Sequence, residues 1–460
     1  MVNKSTKELL IDLGNYNYSH ELLELKKMYD YINQEKYLTN KNKFNFMSGD
    51  PINYKPYPPI IKHLKRTLKR KDLFEYQLSN GNKKDKTVIS DYLKNIGINA
   101  NEDNITFTYS TTHAFNLIFD CLGKSGDGII IPSPNYGLFD FIPERYGLKV
   151  IPLPLKKDDN WLINIEDFET ELKKFNEQNK DFKIKFFYNM NPHNPTGKVM
   201  SDKEIDIINK IGELSLKYDF YIIDDMIYRD LTYDSTKMPK PFSSVASYFN
   251  NTISLFGISK SYNLASIRSG LIVSNNKISN IFQNKMYHQM DSLSIINIQS
   301  LVSAFNINNK KQYKKYFSNL KSKYMYNFEI LKYLIEGINT TSTFTLISKD
   351  KYMKITKKYI SKDDYKYALY NTSKLSFVSN LEKIESGYFS LLSVKSNKNY
   401  YNLFDELFSK ANIKVICGNS IMYPNSQEKI IRINFAVETK TLILGIVGLK
   451  KYLEKSKKKL

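Results

Sequence analysis

The chain has 460 residues, 42% of them hydrophobic and 25% charged, which excludes a largely disordered protein and leaves room for two or three packed units. Cys121 and Cys417 are too few for a disulfide framework and point to a reducing, cytoplasmic setting. The formal net charge of +21 raises nucleic acid, a membrane surface or acidic substrates as partners.

In chain order, the first thirteen residues carry Lys4, Lys7, Glu8 and Asp12 among their apolar positions, so they lack the apolar core of a secretory signal. From Ile105 to Val273, short β-rich runs alternate with helix-patterned stretches, the rhythm of an α/β domain with a mostly parallel sheet. Strands are expected at 129–131, 150–153, 184–188, 220–223, 253–256 and 271–273. Ala114, Leu117, Ile118 and Cys121 fall at helical spacing between them, as do Ile205, Ile208 and Ile211. Phe317, Leu320, Tyr324, Phe328 and Leu331 then mark one long amphipathic helix leading into a second, α+β unit, with strands expected at 388–394, 413–416 and 430–435. Residues 339–384 show no clean period and carry nine lysines against four acids, and are read as an insertion of undefined structure. The stretch 442–449 is far shorter than the roughly 20 residues a bilayer requires and is expected to pack a terminal helix.

Three segments carry candidate chemistry. Asn191-Pro192-His193-Asn194-Pro195-Thr196-Gly197 follows a predicted strand, and its prolines and glycine hold Asn194 on a fixed loop at the carboxyl edge of the sheet, where open α/β folds bind ligands. Asp224 and Asp225 end a buried apolar run, three residues before Tyr228 in the case of Asp225; an acid there caps a helix or neutralises a cationic ligand. Ser254-Leu255-Phe256-Gly257-Ile258-Ser259-Lys260-Ser261 ends a strand with a lysine among small and apolar neighbours, followed by Arg268 and Gly270. Desolvation lowers the pKa of such a lysine and suits it to form a Schiff base. The five histidines show no metal-ligand spacing.

Taken in order with Tyr136 in Pro134-Asn135-Tyr136-Gly137 and Arg432 in Ile431-Arg432-Ile433-Asn434, these segments resemble the class I and II aminotransferases, which are fold type I enzymes dependent on pyridoxal 5'-phosphate. The resemblance runs from about Gly49 to the C-terminus, with 339–384 as its main gap. It implies a large cofactor domain over 76–310, with a mostly parallel mixed sheet flanked by helices. A smaller α+β domain over 311–460 and an N-terminal arm over 1–75, part of which joins the small domain, complete the architecture.

The resemblance also assigns roles. Lys260 holds the cofactor and serves as general base, Asp225 pairs with the ring nitrogen, Tyr228 and Asn194 bond the ring hydroxyl oxygen, and Tyr136 stacks on the ring. Ser110, Thr111, Ser259 and Arg268 form the phosphate site at a helix N-terminus. The family often has Gly where Ser110 stands and Ser where Gly257 stands. Arg432 grips the substrate carboxylate, with Asn194 and Gly49 beside it, and Tyr76 reaches the phosphate of a neighbouring subunit, which implies a homodimer. The activity implied is transfer of an amino group from an α-amino acid to a 2-oxo acid. Elimination and oxygen-dependent oxidation share the same residues and stay open. Polyanion binding through Lys62, Lys65, Arg66, Lys69, Arg70, Lys71 and the lysines of 455–459 is a third, weaker reading, since these look like solvated faces without a recognition module.

Overall fold

The computed structural model describes residues 44–379, 381–417 and 429–455. The first 43 residues of the expected N-terminal arm and the lysines after Lys455 lie outside them.

Among the described residues the large sheet has seven strands: β2 (Ile105–Thr108), β3 (Gly128–Ser133), β4 (Lys149–Pro154), β5 (Ile184–Met190), β6 (Tyr221–Asp225), β7 (Thr252–Gly257) and β8 (Gly270–Val273), in the order β2-β8-β7-β6-β5-β3-β4. Strands β4, β3, β5, β6 and β7 are parallel, and β8 runs antiparallel to both β7 and β2. Successive side chains of a strand point to opposite faces, so each apolar run serves two cores. Ile129, Ile131, Phe186 and Ile223 pack on one side with Ala114, Phe115 and Ile118 of the helix Thr111–Leu122. Ile130, Phe187 and Ile222 pack on the other with Phe168 and Leu172 of the helix Ile165–Gln178, and Ile208 and Ile211 of the helix Ile205–Tyr218.

The long helix covers Lys310–Glu336, and Phe317, Leu320, Tyr324, Phe328 and Leu331 form its buried stripe. It leads to a four-stranded antiparallel sheet, β12-β13-β10-β9, made of β9 (Leu375–Phe377), β10 (Phe389–Val394), β12 (Ile416–Cys417) and β13 (Lys429–Asn434). The strand expected over 413–416 is broken in two. Its first half, β11 (Ile413–Lys414), pairs in parallel with β1 (Phe44–Asn45), which places the start of the described chain against the C-terminal unit. The apolar stretch 442–449 lies in the helix Thr439–Lys455.

Residues 339–384 are more ordered than their sequence suggests. They contain the helices Lys349–Tyr359 and Tyr365–Leu369, and β9, which extends the small sheet. Glu329 of the long helix fixes their entry: its buried carboxylate accepts from the backbone N–H groups of Thr345 at 2.8 Å, Leu346 at 2.9 Å and Ile347 at 2.9 Å. Lys450 holds a later turn, donating from a buried ammonium to the carbonyls of Leu334 at 2.5 Å and Tyr370 at 2.6 Å. Burial pushes that lysine down to about 8. Its helices thus pack on the long helix and on the helix Thr439–Lys455, while Val378, Leu381 and Ile384 towards its end reach the large unit.

Candidate active site

The carboxyl ends of β5, β6 and β7 converge, and each delivers one of the segments singled out in the sequence. After β6, alternation separates the two acids. Asp224 turns into the structure, accepting from Asn189 Nδ2 at 2.8 Å and the Phe242 N–H at 2.9 Å, and burial raises it to about 6. Asp225 turns towards Lys260. It accepts from the Ile227 N–H at 3.0 Å and the Tyr188 hydroxyl at 3.1 Å. Burial raises it to about 7, against the pull of those two bonds and of Lys260. A cation placed beside Asp225 would favour its charged form.

Lys260, three residues beyond β7, donates from Nζ to the carbonyl of Gly49 at 2.7 Å. Burial pushes the amine down to about 8; Asp50 opposes this, and the positive charges of Arg432 and Arg268 add to it. A Cβ on Gly49 would stand 3.3 Å from Nζ, so the absence of a side chain there lets the backbone approach the lysine. The Gly49 turn is held from the small unit: Tyr388 donates to the same carbonyl at 3.0 Å, and Asn434 Nδ2 donates to the carbonyls of Ser48 and Asp50, both at 2.8 Å.

Arg432 projects from β13 into this junction. It is buried, its Nη2 donates to the Met47 carbonyl at 2.8 Å, and its guanidinium carbon lies 4.2 Å from the centre of the Phe389 ring. Its Nε has no hydrogen-bond partner, and neither does Oδ1 of Asn194, which is equally buried. Asn194 Nδ2 lies 3.5 Å from the hydroxyl of Tyr228. Buried polar atoms without partners are uncommon, and here two of them sit beside an amine of lowered basicity. Tyr136 lines a small cavity with Asn194 and Tyr188, its ring centre 5.6 Å from that of Phe139. His193 is partly buried and desolvation holds it down to about 4, with Nδ1 2.8 Å from Thr196 Oγ1, so it shapes its loop as a neutral ring.

Ser110 and Thr111, expected to meet a phosphate, stand at the N-terminus of the helix Thr111–Leu122. Ser110 caps it, accepting the His113 N–H at 3.1 Å, with φ 154° and ψ 170°, a conformation suited to glycine. A Cβ on Gly270 would fall 2.8 Å from the Ser110 carbonyl carbon, so β8 comes hard against this end. Ser259 is buried next to Lys260. Arg268 has a left-handed backbone, φ 55° and ψ 61°, with Nη1 on the Ala265 carbonyl at 2.8 Å and an exposed side chain. Asn297 steadies that turn by donating to the Ile267 and Arg268 carbonyls at 3.0 and 2.6 Å.

The structure therefore brings Gly49, Asn194, Asp225, Tyr228, Lys260 and Arg432 together. Tyr76 stands apart, 89% exposed on the outer surface. Sequence reasoning missed Tyr188, Tyr388, Asn434 and Asn297, which act by holding other residues. For Tyr188 the signal was available, since β5 and β6 pair in parallel with Met190 opposite Asp225, two positions along.

The residues present fit pyridoxal 5'-phosphate. A buried acid suits its ring nitrogen, an amine of lowered pKa its carbonyl, a helix N-terminus its phosphate, and the buried, unpartnered Asn194 oxygen can receive a donor from a ligand. The aminotransferase class I and II family model matches residues 41–444. Among curated proteins, cystathionine beta-lyase PatB of Bacillus subtilis is 28% identical over 179 residues, covering 38% of this chain and 43% of the lyase. Glutamate-pyruvate aminotransferase AlaC of Escherichia coli is 25% identical over 263 residues, 56% of this chain and 60% of that enzyme. The matches thus span about half the length of these relatives. The solved aromatic aminotransferase of Pyrococcus horikoshii superposes with a TM-score of 0.71 at 15% identity, over 92% of this chain and 99% of that one, which shows a shared fold. With that fold, this site and a family match over most of its length, the chain belongs to the class I and II aminotransferases, a family that works through pyridoxal 5'-phosphate.

Proposed function

We propose that this protein is an aminotransferase that moves the amino group of an α-amino acid to a 2-oxo acid. The observation that carries the reading is the half-buried Lys260 amine, pushed down to about 8, held on the Gly49 carbonyl and near enough to Asp225 and Arg432 for both to act on its charge. The bound pyridoxal 5'-phosphate would supply a carbonyl for the amino group and an electron-withdrawing ring that accepts the electron pair left at the substrate Cα. Lys260 would hold it covalently; Ser110, Thr111, Ser259 and Arg268 would hold its phosphate, and Tyr136 its ring face.

The remaining work falls to the chain. Arg432 binds the substrate carboxylate, and its unpartnered Nε is the group left to receive it. Asn194 and Gly49 flank that carboxylate. Asp225 would pair with the ring nitrogen and favour its protonated form, and Tyr228 with Asn194 would bond the ring hydroxyl oxygen. Once the substrate amine displaces Lys260 from the cofactor, the freed Lys260 amine would serve as the general base that moves the proton from the substrate Cα. Tyr76, exposed on its own subunit, is read as completing the phosphate site of a second copy in a homodimer. The two cysteines suit a reducing cytoplasm.

The test is a panel of amino donors and 2-oxo acids with the purified protein, read by mass spectrometry and by the visible absorbance of the cofactor. Transfer of a labelled amino nitrogen to the acceptor supports the reading. A second reading, elimination, draws support from the match to a β-lyase; ammonia release without labelled product would favour it. Peroxide release with consumption of oxygen would point instead to oxidation.

A further inference from the structure

The two halves of the substrate site come from different parts of the chain, Asn194 from the large sheet and Arg432 with Phe389 from the small one. A ligand that touches both is bound well only if the two are held in register. The NPTG loop satisfies most of its own backbone: the His193 N–H donates to the Lys198 carbonyl at 2.8 Å, the Gly197 N–H to the His193 carbonyl at 2.8 Å, and the Met200 N–H to Asn191 Oδ1 at 3.0 Å. The Val199 N–H goes elsewhere, to Glu385 Oε2 at 3.1 Å, across 186 residues of sequence.

Around that bond the chain is sewn closely. The Ser386 N–H donates to the Gly197 carbonyl at 3.0 Å and the Tyr233 N–H to the Glu385 carbonyl at 2.9 Å, while the Tyr233 hydroxyl reaches the Gly387 carbonyl. Lys237 Nζ lies 3.3 Å from Glu385 Oε1 on the outer side. Gly197 has φ 70°, and a Cβ there would fall 2.6 Å from the Ile384 side chain and 2.8 Å from the Ser386 carbonyl oxygen, so the fit of loop to segment allows no side chain. Immediately beyond, Tyr388 packs at 5.9 Å from Tyr228, and Phe389 underlies Arg432.

From this geometry we propose that Glu385 is a positioning residue for substrate binding: its carboxylate ties the loop carrying Asn194 to the lead-in of β10, and so sets the spacing between Asn194 and Arg432. The inference rests on the reading of those two residues as substrate contacts. Glu385 itself is on neither the substrate nor the cofactor. The surface pair with Lys237 contributes little, so what the carboxylate adds to the Ser386–Gly197 backbone bond is the bond to the Val199 N–H, which an amide oxygen also accepts.

The experiment compares wild type, Glu385→Gln and Glu385→Ala in two ways. Hydrogen exchange on the full chain should quicken in Glu385→Ala over peptides covering 193–199 and 384–388, and stay near wild type in Glu385→Gln. Unchanged exchange in Glu385→Ala would overturn the tie, whatever reaction the protein performs. In the cofactor-loaded enzyme, Glu385→Ala should raise KM for the amino donor about tenfold, with kcat and the affinity for added pyridoxal 5'-phosphate changed less than about threefold, and Glu385→Gln should restore KM. A KM unmoved in Glu385→Ala, a loss of cofactor affinity in step with KM, or a Gln variant as impaired as Ala would each overturn the positioning role. Failure of the wild type to transfer an amino group would count against the proposed function and leave the exchange result to judge the tie alone.

Discussion

Asp224 and Asp225 are neighbours of one residue type, both fully buried, yet the strand turns one into a structural group and the other into a chemical one. Asp225→Asn is expected to leave the fold intact and lower kcat by at least about a hundredfold, because an amide cannot hold a proton on the ring nitrogen. Asp224→Asn should act on stability instead, costing about 1–3 kcal/mol in urea denaturation, since it leaves the Asn189 or Phe242 donor facing another donor. Lys260 makes a pH prediction for the cofactor-free chain. Its folded pKa, about 8, lies below the unfolded value near 10.4, so the unfolded state binds more protons between the two. The penalty of burying the ammonium is therefore full below about pH 8 and relieved as pH rises. Lys260→Met should be more stable than wild type at pH 7, by a margin that shrinks towards about pH 10. Ser110 occupies a backbone region that costs a non-glycine residue roughly 1–3 kcal/mol, while glycine is only a few tenths worse as a cap. Ser110→Gly should therefore raise stability by about 1 kcal/mol, measurable in the same denaturation series.

At the scale of elements, the parallel strands were legible because each is a short run buried on both faces, as at 129–131 and 253–256. The strands that escaped, β1, β2 and β9, are edge strands of two, four and three residues, held by a partner more than by their own pattern. The same logic divides the site. Asn194, Asp225 and Lys260 announce themselves through local motifs, whereas Tyr388 acts on Gly49 from 339 residues away and Asn434 on Ser48 from 386, distances over which sequence spacing carries no signal. Residues 339–384 were opaque for a related reason: what orders them is the carboxylate of Glu329, outside the segment. Its two oxygens receive three backbone N–H groups and the Thr345 hydroxyl. Glu329→Gln substitutes a donor for one of those oxygens and is expected to cost about 2–4 kcal/mol. Limited proteolysis should then cut within 339–348 faster than in wild type, with cofactor binding unaltered because this entry stretch packs on the long helix, Phe344 stacking on Tyr333.

For the molecule as a whole, the charge of +21 loses its force as an argument for nucleic acid once the site is in view. The basic residues of the helix Pro58–Thr67 sit on its solvent face, with Ile60 and Thr67 turned inward. The apolar surface is more telling. Phe74, Tyr76 and Leu78 are 91%, 89% and 67% exposed on one loop, whose Gln77 is tied by backbone N–H and carbonyl to the Ser292 hydroxyl, both at 2.8 Å. Three large apolar side chains presented on a fixed loop suit a surface that a second copy covers. If Tyr76 completes the partner's phosphate site, each site needs Lys260 from one subunit and Tyr76 from the other. Lys260→Ala and Tyr76→Ala homodimers should each be impaired, the first without measurable transfer and the second chiefly in cofactor affinity. Mixed by co-refolding in equal amounts, they should form hybrid dimers with one site intact and one doubly defective. Activity should then recover towards about a quarter of wild type at limiting cofactor, the yield expected when half of randomly paired dimers are hybrids. No recovery above the sum of the two parents, with hybrid dimers confirmed by native mass spectrometry, would place Tyr76 outside the shared site.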